Sequence, residues 1–126
     1  EAVRKLYDTV RQGQKLAFQK MRPGVPTAQV HGAVLEFFER EGYRTGRRNG
    51  RMQGFFHGTG HGLGLEIHEA PRTGPNSTGV LQTGQVVTVE PGLYYPELGG
   101  VRLEDVALVT RSRPRNLTQF EKVLEI

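Results

Sequence analysis

Five glycines, at positions 54, 58, 60, 62 and 64, are interleaved with His57 and His61, and His68 closes the same stretch, HGTGHGLGLEIHE. No other feature constrains the fold of this chain as tightly. Glycine costs backbone entropy in regular structure, so this density marks a backbone that must come close to something. Three of the four histidines fall within the twelve residues 57–68. Imidazole is the commonest neutral metal ligand and the usual proton shuttle near pH 7. A glycine-rich turn with incidental histidines is the plain alternative, and a cluster is harder to dismiss that way than one residue. His31 stands alone on a helix-patterned segment and reads as structural or solvent-facing.

On the N-terminal side of this stretch the pattern is helical. Val3, Leu6, Tyr7, Val10, Ala17 and Met21 keep helical spacing, opposite Arg4, Lys5, Asp8, Arg11 and Lys15, which predicts a helix over 2–21. Pro23-Gly24 stops it, Thr27 is placed to N-cap a second helix, and Gly42 sits where that helix ends. On the C-terminal side the pattern is extended. Val86 to Glu90 and Val101 to Val109 are β-rich runs separated by a Pro/Gly turn, and a shorter extended piece covers 63–68. The segment from Ala70 to Gly84, seeded with Pro71, Gly74, Pro75 and Gly79, reads as a loop. The order α-α-β-β-β predicts an α+β fold, two helices followed by an antiparallel three-stranded sheet, within one domain of 126 residues.

Composition narrows the function. The chain has no cysteine, which removes disulfides, thiolate nucleophiles and cysteine-based zinc sites, and fits a cytoplasmic protein. No stretch approaches the ~20 apolar residues of a membrane span, so no membrane partner is expected. Apolar content of 36% with 17 glycines suggests a loop-rich domain or part of a larger one. The net charge of +4 comes from arginine, with Arg44, Arg47, Arg48 and Arg51 crowded together. No binding motif accompanies them, so they read as a solvated loop and no nucleic-acid partner is expected.

Strand parity supplies a second argument for chemistry. Val86, Thr88 and Glu90 share one face of their run, and Arg102, Glu104 and Val106 share one face of the returning run. If the runs pair, Glu90 and Glu104 project to the same side. Two carboxylates forced together repel, and a cation between them is the natural remedy. A surface hairpin with exposed charges is the alternative; it suits Glu97 and Asp105 better than Glu90. Other motifs fail. Dinucleotide-loop starts at 58, 60 and 62 meet Leu63, Leu65 and Ile67 where glycine is required. No Gly-Lys pair exists for a phosphate loop, and no second histidine follows His68-Glu69 as H-E-x-x-H requires. Ser77 and Ser112 lie outside any nucleophile elbow.

HGTGHGLGLEIHE, VVTVEPGLYYP and GGVRLEDVALVT, in that order, closely resemble the consecutive signatures of the C-terminal half of the pita-bread metallopeptidases (peptidase family M24). That group comprises aminopeptidase P, prolidase and methionine aminopeptidase, and the likeness runs from the first helix to about Thr110. His57 and Arg102 place the chain nearer the Xaa-Pro branch. The resemblance implies His61, Glu90 and Glu104 as metal ligands, with Glu104 bridging two ions and Glu90 serving also as general base. It implies His68 as the residue that steadies the tetrahedral intermediate, His57 as a pocket residue, and Arg102 as a partner of the ligand carboxylates. The expected cofactor is a pair of divalent ions, Mn²⁺ first and Co²⁺ or Zn²⁺ after it. The expected substrate is a peptide with proline at its second position. Aminopeptidase action is the first expectation, with prolidase-type dipeptidase action and a catalytically dead interaction module as alternatives.

One departure qualifies the resemblance. The family completes its two-ion site with two aspartates from an earlier hairpin, whereas this sequence contains only Asp8 and Asp105, neither placed to substitute. The chain is therefore expected to be a partial domain over 1–126, the C-terminal half of a pita-bread catalytic domain and inactive alone. It is also expected to pair as a homodimer, which would cover the sheet face and edge left open.

Overall fold

The computed structural model describes all 126 residues. Helix α1 (Ala2–Gln19) buries Leu6, Tyr7, Val10, Gln14 and Ala17 along one stripe, as its periodicity requires, while Val3 stays exposed. Helix α2 (Thr27–Arg40) buries Val30, His31, Val34 and Phe38 against it. Thr27 does not cap α2. Pro26 holds the N-cap position, and the Thr27 hydroxyl turns instead to Ser77 Oγ (2.8 Å) and the Gly79 carbonyl (3.0 Å), tying the helix start to the 74–79 loop. Gly42 takes φ +91° just past α2, the left-handed conformation that ends helices.

Nine strands follow, more than the three expected. They are β1 (Gly46–Arg48), β2 (Arg51–Gln53), β3 (Gly60–Gly62), β4 (Glu69–Thr73), β5 (Val86–Val89), β6 (Gly92–Tyr95), β7 (Gly99–Arg102), β8 (Asp105–Leu108) and β9 (Arg115–Asn116). The main sheet is antiparallel with order β4-β3-β5-β8-β9; β1-β2 and β6-β7 form separate hairpins. The arginine-rich segment is thus a hairpin rather than a loop. Its turn, Asn49 (φ 51°) and Gly50 (φ 76°), has the paired positive φ angles of a type I′ turn.

Two further expectations are corrected. Residues 63–68 are a loop, and the strand lies on their C-terminal side, at β4, where a loop was expected. Pro71 masked that strand, since proline is uncommon within a sheet except at an edge, which is where β4 lies. The run Val101–Val109 is not continuous: β7 pairs with β6, the chain breaks at Leu103–Glu104, and β8 then joins β5. The α+β class and the antiparallel arrangement stand. The core gathers Leu6, Val10 and Phe38 from the helices, Val87, Val89 and Ala107 from the sheet, and Phe55 and Leu93 beside it.

The glycine cluster is explained by strand contact. A Cβ at Gly60 would lie 1.9 Å from the Thr88 carbonyl oxygen of β5, and one at Gly62 would lie 2.2 Å from the Ala70 carbonyl oxygen of β4. β3 therefore sits between two backbones with no room for a side chain at either position. His61, between them, points its side chain to the free face.

Candidate functional site

His61 and Glu90 meet. The imidazole Nε2 stands 3.1 Å from Glu90 Oε1, and both side chains are largely shielded, with 12% and 15% exposure. β3 supplies the histidine, and the residue directly after β5 supplies the carboxylate. The Glu90 N–H donates to the Thr59 carbonyl (2.7 Å), so the two segments are locked in register at this point. Arg102 Nε lies 3.9 Å from Glu90 Oε2, on the other side of the carboxylate.

The protonation of His61 follows from its partners. Nδ1 faces the Gly62 carbonyl at 2.9 Å, and a carbonyl can only accept, so Nδ1 carries a proton. In the neutral ring Nε2 is then a lone pair directed at a carboxylate oxygen. Two lone pairs 3.1 Å apart repel unless a proton or cation lies between them. An imidazole nitrogen fixed through its far N–H, beside a carboxylate, is a donor pair suited to a divalent cation.

Glu104 is not in contact with that pair. It is exposed, and no three His, Asp or Glu side chains are close enough together to form a complete cation site. Its place in the fold is nevertheless adjacent. Val89 and Asp105 form the last pair of the β5–β8 ladder, and Glu90 and Glu104 are their chain neighbours just beyond it. The expectation that the two glutamates share a face of paired strands is not met by a contact, because the chain leaves strand geometry at Leu103–Glu104.

His68 and His57 flank the pair. The His68 ring packs edge-on against His61 with centroids 4.4 Å apart. His57 Nδ1 donates to the Gly58 carbonyl (2.7 Å), which leaves Nε2 to accept from the Tyr94 hydroxyl (2.9 Å). Burial pushes the Tyr94 phenol above its ordinary pKa, partly offset by the Arg102 charge, so the phenol remains a donor at neutral pH. His31 is not solvent-facing. It is buried at 3% exposure, bonded through Nδ1 to Thr59 Oγ1 (3.0 Å), and stacked on Phe55. Burial, then the charge of His57, depress its pKa to about 4. Its place is structural, beneath the segment that carries His57.

His57, His61, His68, Glu90 and Arg102 open onto one cleft of about 1110 Å³ whose far wall is the 71–79 segment. Arg72 projects there with no carboxylate partner, on β4 directly across from His61. Sequence reasoning missed Arg72 because the segment read as a loop, and missed Tyr94 because nothing in EPGLYYP distinguishes a site tyrosine from a core one. The cross-strand step from His61 to Arg72 was the available signal once β4 was recognised.

The cleft holds an imidazole–carboxylate pair, His61 and Glu90, with His68 packed edge-on against His61 and the Arg72 and Arg102 side chains beside them. Comparison with known proteins supplies the class. Metallopeptidase family M24 matches residues 1–111, and the chain belongs to that family. It is 39% identical to the Xaa-Pro dipeptidase of Pyrococcus furiosus over 124 residues, which cover 98% of this chain and 33% of the relative. The solved prolidase of Pyrococcus furiosus superposes with a TM-score of 0.86 at 39% identity, covering 97% of this chain and 34% of that one. An X-Pro aminopeptidase from Thermotoga maritima reaches the same TM-score at 28% identity, covering 98% of this chain and 33% of that one. The chain spans about a third of the length of these relatives, and its fold is a portion of the pita-bread fold.

Proposed function

We propose that this chain carries part of the active site of a divalent-metal-dependent peptidase that cleaves the bond preceding proline. The His61–Glu90 pair is the observation that carries this reading. His61 and Glu90 would hold the ion, with Glu104 joining from just beyond the β5–β8 ladder, and Mn²⁺ suits a carboxylate-rich shell with one imidazole. A divalent cation held there supplies Lewis-acid polarisation of the scissile carbonyl and lowers the pKa of water. The chain's own side chains do the rest. Glu90 is placed to accept a proton beside His61, with Arg102 near its second oxygen. His68, packed against His61, would face the developing oxyanion. His57, held by Tyr94, lines the pocket.

Between dipeptides and longer peptides, Arg72 favours dipeptides. An Xaa-Pro dipeptide ends in a carboxylate one residue beyond the scissile bond, and Arg72 offers an unpaired guanidinium across from His61. The dipeptidase name of a 39% identical relative points the same way, whereas the fold does not discriminate, since an aminopeptidase superposes as well. The test is turnover of Ala-Pro against Ala-Pro-Ala by the full-length protein with Mn²⁺. Ala-Pro should be preferred, and Arg72→Leu should raise its KM on the order of tenfold to a hundredfold, the value of a charged hydrogen bond. No cation-dependent turnover of either peptide would end the peptidase reading. Preference for Ala-Pro-Ala would end only the dipeptidase part.

A further inference from the structure

We propose that Thr88 is a positioning residue which fixes the Glu90 carboxylate in front of the His61 imidazole. Its purpose rests on the metal-site reading above, but its geometry does not. Thr88 lies on β5 two residues before Glu90, hence on the same face, and is 2% exposed. Its hydroxyl has one proton and two lone pairs. The His61 backbone N–H, which can only donate, takes a lone pair at 3.0 Å. The Glu90 carboxylate, which can only accept, takes the proton at 2.9 Å through Oε1. One hydroxyl therefore ties the backbone of one donor residue to the side chain of the other.

The oxygen that Thr88 holds is the same one that faces His61 Nε2 at 3.1 Å. A glutamate side chain has three rotatable bonds, and an unanchored carboxylate samples several rotamers. Here Oε1 is fixed by a charge-assisted bond from a strand residue, which cannot drift as a loop residue could. The absence of a side chain at Gly60 lets β3 approach β5 closely enough for the hydroxyl to reach both partners. A hydrogen-bond donor behind a ligand carboxylate typically changes metal affinity about 10–100-fold when removed.

The experiment is calorimetric titration of the full-length protein with Mn²⁺, comparing wild type, Thr88→Val, Thr88→Ser and Glu90→Gln. Valine keeps the branched shape and deletes the hydroxyl; serine keeps the hydroxyl and deletes the methyl. Thr88→Val should weaken Mn²⁺ binding about 10–100-fold, while Thr88→Ser stays near wild type and Glu90→Gln loses the site. If Thr88→Val does not fold, Thr88→Ala replaces it with the same expectation. Wild-type affinity in Thr88→Val, or equal weakening in Thr88→Ser, overturns the role, the second because packing of the methyl would then explain the effect. Wild-type affinity in Glu90→Gln identifies the metal-site reading itself as the failure and removes the Thr88 role with it.

Discussion

Gly60→Ala tests whether the glycine cluster exists to let strands touch. The added Cβ would stand 1.9 Å from the Thr88 carbonyl oxygen and 2.7 Å from its carbon, both backbone atoms that no rotamer change can move. β3 must then separate from β5, and that movement breaks two bonds, His61 N–H to Thr88 Oγ1 and Glu90 N–H to the Thr59 carbonyl. Overpacking costs about 1–3 kcal/mol and each lost buried bond about 0.5–1.5 kcal/mol, so the total is about 2–6 kcal/mol. Gly64→Ala is the control. Its Cβ would meet Glu69 Oε1 at 2.1 Å, but that is the far end of a flexible side chain that can swing away, so it should cost less than about 1 kcal/mol. Urea unfolding followed by circular dichroism measures both. A Gly60→Ala variant within about 1 kcal/mol of wild type, or a Gly64→Ala variant equally damaged, would refute the reasoning.

Three other outcomes are expected. Asp105→Ala should destabilise by about 3–5 kcal/mol in the same assay, because buried Asp105 is held by Lys122 (2.6 Å), Thr118 (2.9 Å) and Gln14 (3.2 Å), and its loss strands a Lys122 ammonium that is only 17% exposed. Stability should fall as pH drops from about 6.5 toward 4: the unfolded chain protonates His31 near 6.5, while the buried ring resists until about 4. His31→Asn should therefore flatten the curve in that window by roughly 3 kcal/mol, measured by denaturation at stepped pH. The chain should self-associate through exposed Leu65 and Ile67, which light scattering coupled to size exclusion would detect.

The helices were legible because each buries one stripe at a 3.6-residue period, and the antiparallel β-rich half because Val86–Val89 is bounded by turn residues. The site was legible in part. The histidine cluster located His61, whose side chain does reach Glu90, whereas Glu104, expected from strand parity to share its face, is exposed and out of contact. What failed was non-local. No local pattern announces that β4 carries a proline at a sheet edge, that Val101–Val109 divides between two partners, or that His31 is buried under Thr59. The Thr27 hydroxyl abandoned its cap for Ser77, fifty residues away, a choice only tertiary packing can make. Arg72 and Thr88 stayed hidden for the same reason, since each gains its role from a strand neighbour distant in sequence.

The divalent cation proposed at His61 and Glu90 has one direct test. Anomalous diffraction from crystals of the full-length protein grown with Mn²⁺ tests it most directly. The account predicts an anomalous peak within about 2.5 Å of both His61 Nε2 and a Glu90 carboxylate oxygen. Mn²⁺ bound elsewhere, with the His61–Glu90 contact still closed at 3.1 Å, would contradict it.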